Sequence, residues 1–99
     1  MNISEIYHNA LLAQAAYADD LNDTKDNTNL LISRLESVED MTISQAQYIA
    51  NNFRVVAQQD KTASGFSATL FQRLDENGQP IDEYYFAARG SDDGVVHRD

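Results

Sequence analysis

Phe66-Ser67-Ala68-Thr69-Leu70-Phe71-Gln72-Arg73-Leu74, then Asp75-Glu76-Asn77-Gly78-Gln79-Pro80, then Ile81-Asp82-Glu83-Tyr84-Tyr85-Phe86-Ala87-Ala88-Arg89-Gly90-Ser91-Asp92-Asp93-Gly94: this stretch decides the fold. Two runs of aromatic and β-favouring residues flank a cluster of turn formers. That pattern predicts a β-hairpin, with Asn77-Gly78 supplying the positive φ angles of a tight reversal. In the first arm Ala68 and Leu70 fall on the face of Phe66, and Phe71 on the other. In the second arm Tyr84, Phe86 and Ala88 alternate with Tyr85 and Ala87. A sheet with one solvated face is polar on that side. Apolar residues on both faces of 84–88 therefore predict cover on both sides, or a covering part that lies elsewhere.

Upstream, Phe53-Arg54-Val55-Val56-Ala57-Gln58-Gln59 reads as a further short strand, and Asp60 to Gly65 as a turn-rich connection. Before it come helices. Residues 3–18 are rich in alanine, and Ile3, Tyr7, Ala10, Leu11 and Gln14 share one helical face, with Tyr17 one turn on. Ser4 is the expected cap. Small residues nearly all round predict a helix that packs closely on something else. Leu31, Leu35 and Val38 have helical spacing, with Thr28 or Asn29 as the expected cap. Thr42 and Gln45 stand at capping-box spacing and open a helix through Ile43, Ala46, Ile49 and Ala50 to Asn51 or Asn52. The prediction is an α+β piece: two or three helices over 3–52, then a three-stranded antiparallel meander over 53–91. There is no internal repeat and no low-complexity linker.

The bulk numbers narrow the function. A chain of 99 residues makes one domain at most. Its net charge of −9, with a pI near 4.4, disfavours nucleic acid and anionic membranes, whose phosphates such a surface repels. It has no cysteine, which excludes disulfides, thiolate metal sites and cysteine nucleophiles. No run reaches the roughly 18 apolar residues of a membrane helix. Ala10-Leu11-Leu12-Ala13 is too short for the core of a signal peptide, although Ala13-Gln14-Ala15 mimics a cleavage box. The N-terminus reads as mature, and the compartment stays open.

Five candidate sites need weighing. Asp20, Asn22 and Thr24 alternate in the polar segment 19–29, but the glycine of an EF-hand calcium loop does not follow, so the segment reads as a solvated loop. Ser67 lies in Gly65-Phe66-Ser67-Ala68-Thr69, close to a Gly-x-Ser-x-Gly elbow. Thr69 replaces the second glycine, and the serine begins a strand instead of ending one, which argues against a nucleophile. His8 on the first helix reads as a satisfied or surface histidine. His97 stands near Ser91, Asp92, Asp93 and Asp99, but a triad or metal site needs a rigid frame that a chain end does not provide. Arg89-Gly90-Ser91 is the stronger candidate. A glycine after a strand lets the backbone turn sharply and leaves nearby N–H groups facing outward. Such donors can bind a developing oxyanion. The plain alternative is a turn after an edge strand.

Phe86-Ala87-Ala88-Arg89-Gly90-Ser91, preceded by Gly-Phe-Ser-Ala-Thr-Leu-Phe and an Ala-Leu-Leu-Ala-Gln-Ala-Ala-Tyr-Ala helix, resembles the N-terminal part of bacterial lipases of the α/β-hydrolase superfamily, relatives of the class 3 lipases. In that family an apolar strand ends in Phe-x-x-Arg-Gly-(Ser/Thr). The resemblance implies that Ser91 gives its backbone N–H to the oxyanion hole, that Gly90 shapes the loop and that Arg89 is structural. The tight match covers about six residues. The family's serine elbow, acid and histidine lie downstream, and none is present. The expectation is therefore an N-terminal section of an α/β-hydrolase fold, inactive alone. The implied parent cleaves lipid carboxylic esters, with no cofactor evident here, although calcium elsewhere in a longer parent stays open, as does its route (secreted by a C-terminal signal, or cytoplasmic). The alternative is a non-enzymatic domain that assembles through an open sheet edge.

Overall fold

Asn52 ends a helix and Phe53 begins a strand, with no loop between them. The chain turns there from helical to extended structure. The computed structural model describes residues 3–59, 67–89 and 94–98. Helices α1 (Ile3–Ala15), α2 (Thr28–Glu36) and α3 (Ile43–Asn52) come first, with one 3-10 turn at Leu21–Thr24. Strands β1 (Phe53–Gln59), β2 (Ser67–Leu74), β3 (Pro80–Arg89) and β4 (Gly94–Arg98) complete the chain order. The sheet is an antiparallel meander in the order β1-β2-β3-β4. The α+β architecture and the three expected strands are present, and β4 extends the meander by one.

Local chemistry explains most boundaries. Thr42 accepts from Gln45 N at 3.1 Å while Gln45 Oε1 accepts from Thr42 N at 2.9 Å, so the capping box opens α3 as its spacing predicts. The cap of α2 is Asn27, not Thr28 or Asn29. Its Oδ1 accepts from Leu30 N at 3.0 Å, and Thr28 already lies inside the helix. Helix α1 starts at Ile3, which places Ser4 inside its first turn instead of at its cap, and it ends at Ala15 rather than running to residue 18. In the hairpin only Gly78 takes a positive φ, of 80°. Asp75 supplies the rest of the turn. Its Oδ1 accepts from Asn77 N at 2.8 Å and from Gln79 N at 2.9 Å, an aspartate-built turn in place of a positive-φ Asn-Gly pair.

Register sets the two faces of the sheet. Val55 pairs with Phe71, Phe71 with Tyr85, and Thr69 with Ala87, so these share the face that meets the helices. They are buried and join Leu12, Leu21, Leu35, Ile49 and Phe53 in one core, to which Thr69 adds a buried hydroxyl. Leu70 pairs with Phe86, Gln72 with Tyr84, and Ala68 with Ala88 on the opposite face. There Phe86 is 42% exposed, and Leu70, Tyr84 and Ala88 are only half-buried. One face of the sheet is thus covered, and the other is partly open among the described residues, at Leu70, Tyr84, Phe86 and Ala88, while Ala68 and Gln72 on it are buried.

The packed face of α1 differs from the expected one. His8, Leu11, Leu12, Ala15 and Ala16 are buried, whereas Tyr7, Ala10 and Tyr17 are exposed. Burying the two leucines removes more apolar surface from water than burying a tyrosine whose hydroxyl must be solvated. Of the expected stripe, Leu11 is buried and Gln14 half-buried, while Tyr7 and Ala10 face outward.

Candidate functional site

Strand β3 is the element that leads to the proposed oxyanion loop. It lies between β2 and β4, and its inward residues Tyr85 and Ala87 are fully buried. Helix α1 packs across β3 and β4. The Tyr85 hydroxyl donates to Glu83 Oε2 at 2.8 Å, and the same oxygen takes Arg73 Nη1 from β2 at 3.3 Å. Edge-on contact with Phe53, at a centroid distance of 5.3 Å, holds the Tyr85 ring. A strand fixed by its neighbours, its ring packing and an ion pair gives a rigid base for a loop at its end.

Gly90-Ser91 is the segment that leaves this strand. Both residues, with Asp92, Asp93 and Asp99, lie outside the described residues, so the oxyanion assignment rests on the resemblance alone. The register places Ser67, at the start of β2, opposite Arg89. It therefore begins a strand, as its sequence context predicts. His97 lies in β4 opposite Tyr85.

His8 is a core histidine. It is 2% exposed, and its Nε2 lies 2.8 Å from the Tyr48 hydroxyl. The rings of Phe53 and Tyr85 meet it edge-on at 5.1 and 6.1 Å. The imidazole thus joins α1, α3, β1 and β3 at one point.

The loop considered for calcium has other work. Asn22 Oδ1 accepts from Gln58 N at 2.8 Å, and Asn22 Nδ2 donates to the Gln58 carbonyl at 2.6 Å. Thr24 is buried, and its hydroxyl donates to the Leu21 carbonyl at 2.6 Å. Asp20 faces Arg34 at 3.6 Å. Within the segment Leu21–Thr24 is a 3-10 turn that seals the edge strand β1, while every residue of 19–29 except Leu21 and Thr24 is exposed, as expected of a solvated segment. Among the described residues no group of three histidine, aspartate or glutamate side chains is placed to hold a metal ion.

Sequence reading missed Gln58, whose side chain is buried. Its Oε1 accepts from Leu21 N at 2.8 Å, and its Nε2 donates to the Ala18 carbonyl at 2.8 Å and to Thr69 Oγ1 at 3.1 Å. No sequence signal marked it: alternation from Phe53 and Val55 puts residue 58 on the outward side of β1, and the register shift between Val55 and Ala57 is what turns it inward opposite Thr69. Also missed was an open cleft of about 570 Å³ lined by Ala13, Tyr17, Val38, Glu39 and Asp40.

No family model matches the chain, and no curated protein or solved structure is similar to it.

Proposed function

We propose that this chain is the oxyanion-loop-bearing N-terminal section of a serine-dependent lipase or esterase that cleaves lipid carboxylic esters. The observation that carries the reading is the placement of β3. It is an apolar strand inside the sheet that ends at Arg89, directly before Gly90-Ser91. The open face bearing Leu70, Tyr84, Phe86 and Ala88 supports the same reading, because a hydrolase sheet is covered on both sides. In this scheme the Ser91 N–H stabilises the tetrahedral oxyanion. The nucleophile, its histidine and its acid come from the parent beyond Asp99. Without them the acyl-enzyme chemistry is lost, so the 99-residue chain turns over no ester.

The test uses the longer reading frame, which must enter a Gly-x-Ser-x-Gly segment and hydrolyse p-nitrophenyl butyrate. Ser91→Pro removes the backbone donor and is expected to lower kcat by roughly 10²–10³-fold with the fold intact by circular dichroism. Ser91→Ala keeps the N–H and retains most of the activity. A frame without the elbow, or a folded Ser91→Pro enzyme of full activity, overturns the reading.

A second reading is a binding domain that assembles through its sheet edge. It is supported by the position of β4 at the margin of the sheet, while Asn22 covers the opposite margin at Gln58. Concentration-dependent dimerisation with β4 amides protected from exchange distinguishes it.

A further inference from the structure

The partly open face of the sheet carries an arginine without a counter-ion. Arg54 Nη1 donates to Gln72 Oε1 at 3.4 Å, and Gln72 Nε2 donates to the Tyr84 hydroxyl at 3.2 Å. These bonds put Arg54 on the side of Tyr84, away from the helices. Its Nε is buried and meets no acceptor. Arg34 faces Asp20 and Asp23, and Arg73 faces Glu83, but among the described residues Arg54 has no ion pair. The chain holds 16 acidic residues against 7 basic ones, so a half-buried arginine left without a carboxylate does not reflect a shortage of them.

Away from Arg54 the same face turns apolar and then small. Leu70 stands beside Phe86, with Val96 opposite Phe86 in register. The row after it holds Ala68 and Ala88, with Gly94 opposite Ala88. Phe86 is 42% exposed although its strand lies inside the sheet. The small row lets another backbone come close. From Ala88 back to Tyr84 the strand rises about 13–14 Å, which is the length of about nine helical residues.

We propose that the downstream part of the hydrolase lays a helix along β2 and β3 on this face, and that an aspartate or glutamate of that helix pairs with Arg54. Its apolar side chains lie over Ala68 and Ala88 and against Leu70 and Phe86. The carboxylate follows about two turns further on, where the planar guanidinium offers it paired donors. The inference rests on the hydrolase reading, which supplies the chain beyond Asp99. Covalent linkage favours this occupant over a separate acidic protein, which a chain of charge −9 repels at a distance. A second copy is poorer still. Stacked about a two-fold axis along the strands it sets Arg54 against the register position of Arg98, and about an axis across them against that of Gln59. Neither supplies a carboxylate.

The test compares the 99-residue chain with the longer reading frame. Arg54→Met keeps the aliphatic stem and removes the donors. It is expected to shift the Tm of the short chain by no more than about 3 °C. In the longer chain it is expected to lower Tm by roughly 6–15 °C, because the carboxylate of the helix is then buried alone. Arg54→Glu lowers it further, and lysine in place of the downstream acid restores most of that loss. Hydrolysis of p-nitrophenyl butyrate is followed in parallel. A Tm loss equal in both lengths, whether large or small, overturns the inference, and an active longer enzyme with that result leaves the hydrolase reading standing. A longer chain without a Gly-x-Ser-x-Gly elbow, but with the length-dependent loss and the charge-swap rescue, supports the covering helix and overturns the hydrolase. A frame that stops at Asp99 overturns both.

Discussion

Asn22 grips the backbone of Gln58 on both its polar groups, donating to the carbonyl at 2.6 Å and accepting from the N–H at 2.8 Å. A side-chain amide thus imitates a neighbouring strand at the outer margin of β1. Edge strands expose unpaired N–H and C=O groups, and this contact closes one such pair. The Gln58 side chain, reaching Leu21, Ala18 and Thr69, anchors the same corner from within.

The first prediction concerns that grip. Asn22→Ala removes both bonds and is expected to cost about 1–3 kcal/mol in urea unfolding. It should also speed hydrogen exchange at the Gln58 amide far more than at Phe71 in the sheet interior. Uniform acceleration across the sheet would mean that Asn22 acts only through global stability. Gln58→Glu should cost more than Asn22→Ala, because a carboxylate oxygen would face the Ala18 carbonyl that Nε2 now serves.

The second prediction concerns His8. Tyr48→Phe deletes one hydroxyl and keeps the ring that stacks edge-on with Tyr7 at 5.5 Å. The loss of the bond to a buried imidazole is expected to cost about 1–2 kcal/mol, or a fall in Tm of roughly 5–15 °C for a domain of this size. An unchanged Tm would show that the His8–Tyr48 contact is replaced by water at no cost.

Legibility in the sequence depended on what each signal encodes. Which hairpin residues share a face could be read because strand alternation has period two: Tyr85 and Ala87 lie on one side and Tyr84, Phe86 and Ala88 on the other, but that the set with Phe71, Tyr85 and Ala87 is the one that meets the helices could not, since both sets are apolar. The capping box could be read because Thr42 and Gln45 act locally. The packed face of α1 could not, since an alanine-rich helix offers several apolar stripes and the choice lies with its partners. Gln58 was hidden for a related reason. Its role depends on Ala18, Leu21 and Thr69, which are distant in sequence. Of the candidate site, the strand was legible from composition, but the role proposed for its end rests on the six-residue resemblance alone.

A third prediction isolates backbone strain. Gly78 adopts a φ of 80°, and a Cβ placed there meets no atom within 4 Å. Gly78→Ala therefore introduces no clash, only the cost of a left-handed conformation, about 1–2 kcal/mol. Gly78→Asn should recover part of that loss, because asparagine tolerates this region. If alanine and asparagine destabilise equally by thermal unfolding, the turn has rearranged instead of bearing the strain.

The fourth prediction separates the two faces of the sheet. Phe71 and Phe86 sit on adjacent strands and point to opposite sides. Phe71 is fully buried, so Phe71→Ala should cost about 3–5 kcal/mol and leave this small domain largely unfolded. Phe86 is 42% exposed, so Phe86→Lys should change the stability of the 99-residue chain by no more than about 0.5 kcal/mol. In the longer hydrolase proposed above, a covering layer would bury the same side chain, and an unpaired lysine beneath it would destabilise strongly. Unfolding of Phe86→Lys in both lengths of chain thus reads the state of that face directly. Tolerance in the short chain and intolerance in the long one is the expected pair of results. Equal tolerance in both would mean that no downstream element lies over Leu70, Tyr84 and Phe86.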